Sequence, residues 1–139
     1  MKKTIIITLI VTVLVLAGVF LLILHLRGAE EERDLYCIPY GSLSASEARA
    51  ELEQDENIIL LDVRTREEHE YLRIPNSMLI PVAELEERAI AELPNREARI
   101  FIYCRSGVRS ITAAGTLAEL GYINVYDIGG ILFWEYEVE

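Results

Sequence analysis

The sequence predicts an α/β domain with a mostly parallel central sheet flanked by helices, preceded by one N-terminal transmembrane helix. Three observations carry that expectation. Apolar runs of strand length alternate with helical stripes from about residue 40 onward. A strand passes directly into a helix through Cys104-Arg105-Ser106-Gly107-Val108-Arg109-Ser110, and Thr4 to Leu24 is a run of 21 residues without a charge. Strands alternating with helices fold into a parallel sheet with helices laid on its faces.

As a helix rising about 1.5 Å per residue, the N-terminal run is long enough for the roughly 30 Å hydrocarbon core of a bilayer. The expected span is about residues 4–26, within an anchor segment 1–28. A cleaved secretory signal is the alternative, but its apolar region is usually about 7–15 residues and ends at small residues. Here the run closes on Leu24-His25-Leu26-Arg27, and Ala17-Gly18 is a weak small-residue site. Lys2 and Lys3 precede the run, and acidic residues count for little in topology, so a single-pass membrane protein with its domain on the extracytoplasmic side is expected.

Residues 29–39 read as an acidic tether, Glu30-Glu31-Glu32-Arg33-Asp34 and then Tyr36-Cys37-Ile38-Pro39, without periodicity. Cys37 is either an incidental thiol there or, in an oxidising exterior, a partner for Cys104, a neighbouring chain or a redox protein. Beyond residue 28 all 23 acidic residues face ten arginines and no lysine, a formal charge of −13 against −10 for the whole chain. That balance argues against nucleic acid as a partner and holds the domain off an anionic lipid surface.

The domain itself is expected over residues 40–139. Ser44 and Glu47 have capping-box spacing, and Ala48 and Leu52 share a face, which predicts a helix over about 45–54. Asn57 to Val63 is a continuous apolar run, the pattern of a strand covered on both faces. Thr65 and Glu68 repeat the capping box and open a short helix through His69 and Tyr71, which the Pro75-Asn76 turn separates from a strand over Ser77–Ile80. Glu84 to Leu93 carries the stripe Leu85, Ala89, Leu93 and ends at Pro94-Asn95. Arg99 to Tyr103 is the strand before the loop, and a helix runs from Ser110 to Leu120 with Gly121 as its C′ residue. Asn124 to Ile128 is a further strand, after which Gly129-Gly130 turns into a terminal helix containing Trp134.

Ligands of such sheets bind at the carboxyl ends of strands, where Cys104, Asp62 and Arg64 all fall. A short loop from strand end to helix start turns backbone N–H groups inward, and the helix N-terminus adds partial positive charge. With the guanidiniums of Arg105 and Arg109 nearby, the thiol of Cys104 is expected to titrate below its ordinary value of about 8.5 and to be nucleophilic. A small buried strand-end residue is the alternative, and the Arg, Ser and Gly that follow speak instead for an exposed anion cradle. His69, among Glu67, Glu68 and Glu70, reads as part of a solvated helix face. Two His and two Cys far apart give no zinc spacing, and neither Walker nor dinucleotide glycine patterns occur, so no metal and no cofactor are expected. Phe133 and Trp134 read as core or capping aromatics.

Over about residues 40–136 the chain resembles a single-domain rhodanese, a family of sulfurtransferases that carry sulfane sulfur as a cysteine persulfide. The motifs are Leu61-Asp62-Val63-Arg64-Thr65-Arg66-Glu67-Glu68, the Ile74-Pro75 turn, Tyr103 to Ser110, and Gly129-Gly130-Ile131-Leu132-Phe133-Trp134. The resemblance implies that Cys104 is the nucleophile, that the backbone of Arg105, Ser106, Gly107, Val108 and Arg109 cradles the transferred sulfur, and that Arg109 binds anionic substrate. It casts Asp62 and Arg64, with Ser110, as supporting residues, a structural salt bridge being the other reading of the first two. Cys104 to Arg109 is six residues, the sulfurtransferase length, whereas related cysteine phosphatases place one further residue between Cys and Arg. Family members commonly read Gly-His-Ile-Pro-Gly-Ala where this chain has Leu72-Arg73-Ile74-Pro75-Asn76-Ser77, so that turn is expected to be reshaped. The implied activity is sulfur transfer from a small anionic donor such as thiosulfate to a thiol, cyanide or protein acceptor. The alternative is a noncatalytic anion-binding or regulatory module at the membrane.

Overall fold

The computed structural model describes residues 13–22 and 40–139, and the chain divides into two units, Met1–Cys37 and Ile38–Glu139. In the first unit residues 13–22 form a helix (α1) with exposed side chains. Among the described residues no helix is long and apolar enough to cross a membrane, so the expected transmembrane helix is not supported by them. The remainder of the expected span 4–26, the tether 29–39 and Cys37 lie outside the described residues.

The second unit contains the strands β1 (Gly41–Ser42), β2 (Ile59–Asp62), β3 (Met78–Leu79), β4 (Ile100–Cys104) and β5 (Val125–Gly130). Its helices are α2 (Ala45–Leu52), α3 (Arg66–Tyr71), α4 (Leu85–Glu92) and α5 (Val108–Glu119), with 3₁₀ turns at Val82–Glu84 and Ile131–Phe133. The five strands form one parallel sheet in the order β1-β5-β4-β2-β3. β4 is the central strand and all five of its residues are buried, which is why its sequence is an unbroken apolar run rather than an alternating one.

Side chains alternate across a strand, and the two faces of the sheet bury different sets. Leu61, Ile100, Ile102 and Cys104 join Leu85, Ala89 and Leu93 of α4 and Ala113, Ala114 and Leu117 of α5 in one core. Leu60, Phe101 and Tyr103 face the other way, onto Ala48 of α2, Ile128 and Trp134. The helical stripe expected on α4 is therefore the stripe that it buries.

Both expected capping boxes form, Ser44 with Glu47 and Thr65 with Glu68. The end of α5 is a Schellman motif: Gly121 has φ +91°, its N–H donates to Ala118 at 2.9 Å, and the Tyr122 N–H donates to Leu117 at 3.0 Å. The Tyr122 hydroxyl lies 2.9 Å from the Ala89 carbonyl and 2.7 Å from that of Leu93, satisfying the last turn of α4 from across the core.

Three expectations are corrected and one strand was not anticipated. α5 begins at Val108 rather than Ser110, because Gly107, at φ +101°, makes the turn and serves as N-cap, leaving Val108 and Arg109 with helical backbone. The terminal helix is a single 3₁₀ turn, since Gly129 and Gly130 belong to β5 and Trp134 is already extended. Trp134 is buried as expected, but Phe133 is 68% exposed and belongs to no core. β1, at the sheet edge, is too short to leave a pattern in the sequence.

At the turn over residues 72–77 the residues particular to this chain make contacts of their own. Asn76 adopts φ +62°, a conformation that Asn tolerates better than most residues. Arg73 exchanges two backbone hydrogen bonds of 2.8 Å with Glu139 and donates its Nε to that residue's carboxylate at 2.8 Å. The Ser77 hydroxyl lies 2.9 Å from that of Tyr103.

Candidate active site

Cys104 ends β4 opposite Gly130 of β5, and a bulge sets this register: two residues advance from Ile102 to Cys104 while three advance from Asp127 to Gly130. Gly129, at φ +86°, takes up the extra residue, and its N–H donates to the Asp127 carboxylate at 3.0 Å. The bulge lets the loop after Cys104 lie against the end of β5. A Cβ on Gly130 would fall 2.5 Å from the Arg105 carbonyl oxygen and 2.6 Å from the Ser106 Cα. Only glycine leaves room for that backbone.

Cys104 is 1% exposed, so it lies recessed beneath the loop rather than displayed in an open cradle as the sequence suggested. Its sulfur accepts the Gly107 N–H at 3.1 Å. Burial pushes the thiol up, but the polar groups of Ser110 and the backbone amides of Gly107 and Ser106 around the sulfur outweigh it, holding the group below its ordinary range. The local donors contribute most to this lowering, and the charge of Arg109 acts in the same direction. Because Gly107 offers no side-chain cap, the first amides of α5 remain available to the sulfur. Ser110 is fully buried, and its hydroxyl donates to the Gly107 carbonyl at 2.9 Å, tying the loop to the helix that follows it.

The predicted arginines separate. Arg105 and Val108 are exposed, and what Arg105 contributes to the loop is its carbonyl, which accepts the Leu132 N–H at 3.2 Å. Arg109 is clamped by Glu68, with Nη1 and Nη2 donating to the two carboxylate oxygens at 2.7 and 2.8 Å. The guanidinium hydrogen bonds hold the Glu68 carboxyl at about 2, well below its ordinary range.

Asp62 and Arg64 form a buried pair one strand away, Nε to Oδ1 at 2.9 Å and Nη2 to Oδ2 at 2.6 Å. Arg64 also donates to the Leu72 carbonyl at 2.7 Å, and its guanidinium carbon sits 5.3 Å from the centre of the Tyr103 ring. Burial pushes the Asp62 carboxyl up, yet hydrogen bonds from the Arg64 and His69 side chains and the Arg64 backbone hold it below its ordinary range. Tyr103, pushed up to about 12 chiefly by burial, keeps its hydroxyl on the Ile74 N–H and Ser77.

His69 is a correction. It leaves the solvated face expected of it and sets Nδ1 2.9 Å from Asp62 Oδ2, with its side chain 14% exposed. An ionised carboxylate can only accept, so Nδ1 carries the proton. Asp62 thus secures α3 through His69, and α3 secures Arg109 through Glu68. Glu68 and His69 were the residues missed as site partners, and the signal available for Glu68 was its capping-box position, which anchors it beside the strand end. Among the described residues no group of three or more His, Cys, Asp or Glu is arranged to hold a metal ion.

We expect Gly130→Ala to destabilise the domain by about 1–3 kcal/mol, the usual range for overpacking a close contact. Urea melts measure this. The pH dependence of Cys104 alkylation should at the same time move up toward the ordinary thiol value of about 8.5, as the amide cradle is pushed off the sulfur.

Comparison with known proteins adds sequence and fold relatives. A family profile described as "Rhodanese-like domain" matches residues 44–137. The putative sulfur carrier protein YrkF of Bacillus subtilis is 38% identical over 101 residues, covering 73% of this chain and 52% of YrkF, so the chain spans about half of that relative. The thiosulfate sulfurtransferase GlpE of Coxiella burnetii is 33% identical over 97 residues, covering 69% of this chain and 88% of GlpE. A crystal structure of a rhodanese-related protein from Thermoplasma volcanium superposes with a TM-score of 0.63 at 32% identity, covering 72% of this chain and 98% of that one.

Proposed function

This chain belongs to the rhodanese-like domain family, and from that premise we propose that it is a sulfurtransferase in which Cys104 carries sulfane sulfur as a persulfide. At the level of the family, relatives named as sulfurtransferases support a transferase. The observation that carries the finer reading is the recessed Cys104 sulfur, which accepts the Gly107 N–H at 3.1 Å and titrates below its ordinary range despite burial.

The Cys104 thiolate attacks the outer sulfur of a donor such as thiosulfate. A new S–S bond forms, the donor's own S–S bond breaks, and sulfite departs with the bonding electron pair. The terminal sulfur of the persulfide is anionic and occupies the loop, where the N–H groups of Arg105 to Arg109 and the N-terminal end of α5 favour negative charge. A thiolate or cyanide then attacks that terminal sulfur, and Cys104 leaves as the stabilised thiolate with which the cycle began. Arg109, whose terminal nitrogens are held by Glu68, adds positive charge near the sulfur, and no cofactor is required. Mass spectrometry after incubation of the domain with thiosulfate tests the reading: one added sulfur on Cys104 is expected, removable by cyanide as thiocyanate. An unmodified Cys104 with several sulfane donors would leave an anion-binding module as the better account.

The same proposal places the domain at a membrane, held by the uncharged run Thr4 to Leu24 with Lys2 and Lys3 on the cytoplasmic side. Protease added to intact cells or spheroplasts should then digest the domain. Full protection until lysis would reverse the orientation, and recovery of the full-length chain in the soluble fraction would remove the anchor.

A further inference from the structure

A cavity of about 410 Å³ lies beside the loop that follows Cys104, with Tyr71, Leu72 and Leu132 on its apolar wall and Arg105 among its charged groups. Much of that wall faces water: Tyr71 is 88% and Leu132 63% exposed. Arg105 is the residue after Cys104, and its carbonyl accepts the Leu132 N–H at 3.2 Å, so the wall is tied to the loop through the backbone. The two guanidiniums that line the cavity differ. Arg64 is 4% exposed and donates to Asp62 at 2.9 and 2.6 Å and to the Leu72 carbonyl at 2.7 Å. Arg105 is exposed, and among the described residues its guanidinium has no hydrogen-bond or ion-pair partner. The carboxylates that line the same cavity are engaged elsewhere. Glu68 holds Arg109, and Glu67 sits in the first turn of α3, where its own backbone amide and the Thr65 side chain keep it below the ordinary carboxylate range. An unpaired guanidinium beside an apolar wall is complementary to a carboxylate attached to an apolar body. Its charge also favours the approach of an anionic sulfur donor.

We propose that Arg105 is a specificity-determining residue, and that the cavity beside it is the subsite for a sulfur acceptor built of a thiol, an apolar body and one carboxylate. The proposal rests on the sulfur-carrier reading of Cys104. The carboxylate pairs with Arg105, the body covers Tyr71 and Leu132, and a flexible chain carries the thiol from the cavity to the neighbouring loop. There the acceptor, its thiol proton lost to water, attacks the terminal sulfur of the Cys104 persulfide as a thiolate. A new S–S bond forms, the S–S bond to Cys104 breaks, Cys104 leaves as a thiolate, and the acceptor departs as the new persulfide.

A matched pair of thiols tests this, ω-mercaptohexanoate and ω-mercaptohexanol, each rate with the Cys104-loaded domain being divided by that thiol's own rate with a neutral low-mass persulfide so that intrinsic reactivity cancels. The wild type should favour the acid, through KM. Arg105→Gln should lower that preference about fivefold, the upper range for an ion pair still open to water, and Arg105→Lys, which keeps the charge, should retain part of it. Arg66→Gln removes the same charge from outside the cavity and should leave the preference in place. Leu132→Ser should raise the KM of ω-mercaptohexanoate more than that of mercaptoacetate, which has no body to cover the wall. Equal relative rates of acid and alcohol in the wild type, a preference that survives Arg105→Gln, or an equal loss in Arg66→Gln overturns the proposal. If Cys104 does not load at all, the sulfur-carrier reading fails by itself. Titration of the unloaded domain with hexanoate and hexanol, followed by the amide NMR signals of Tyr71, Arg105 and Leu132, then still decides the subsite: tighter binding of hexanoate that is lost in Arg105→Gln supports it, and hexanoate binding no tighter than hexanol, or unchanged in Arg105→Gln, overturns it.

Discussion

Cys104→Ser should neither gain sulfur from thiosulfate nor form thiocyanate, a loss of at least about a thousandfold, because an alcohol is not ionised near neutrality and is a poor nucleophile toward sulfur. The fold should survive the exchange. Serine is close in size, its hydroxyl can still accept the Gly107 N–H that the sulfur accepts at 3.1 Å, and the remaining residues of β4 keep their places in the core. Thiocyanate assays alongside a urea melt separate the two effects. Transfer by the variant at a tenth of the wild-type rate, with a folded domain, would rule out Cys104 as the sulfur carrier.

Asp62→Ala should be the most destabilising single truncation near the site, at about 3–5 kcal/mol, because it leaves the buried guanidinium of Arg64 without its counter-charge. Arg64 is 4% exposed and cannot turn to water, while His69 loses its partner and α3 loses its attachment to β2. The pH dependence has a definite sign. The folded-state carboxyl of Asp62 titrates below its unfolded value, so its contribution is fully present above the ordinary carboxylate range and is lost as pH falls through the depressed folded value. Urea midpoints measured from neutral pH into acid should therefore converge for wild type and variant at the acid end. Parallel curves throughout would show that the pair does not titrate as the structure requires. Since α3 also carries Glu68, the variant should loosen the hold on Arg109, visible as a faster reaction of that guanidinium with an arginine-selective dicarbonyl reagent.

The fold was legible because its signals are local and repeated. A strand buried on both faces must be apolar throughout, and Ile100 to Cys104 is; a helix laid on the sheet must carry a stripe, and Leu85, Ala89 and Leu93 do. Capping residues act within one turn, so Ser44, Glu47, Thr65 and Glu68 could be read without any knowledge of distant neighbours. The errors fell where that locality fails. Ser110 is a good cap by residue type, but its hydroxyl was claimed by Gly107 and Gly129 carbonyls, and the helix started earlier on a glycine. Gly129-Gly130 has the composition of a turn, yet the pair completes a strand, because the loop after Cys104 needs the space that Gly130 leaves.

For the site, the sequence by itself determined which atom is chemically distinctive: a cysteine between a strand and a helix, followed by residues that can turn amides toward it, is readable from order alone. The tertiary structure decided what surrounds that atom. It joined Glu68 to Arg109 across 41 positions and His69 to Asp62 across seven, and it recessed the sulfur beneath its own loop. Charges in a sequence carry no record of their partners, since pairing depends on which strand ends and helix faces the sheet brings within about 3 Å of one another. The arginines near Cys104 were visible in the chain; that the fold sets the carboxylate of Glu68 against Arg109 was not.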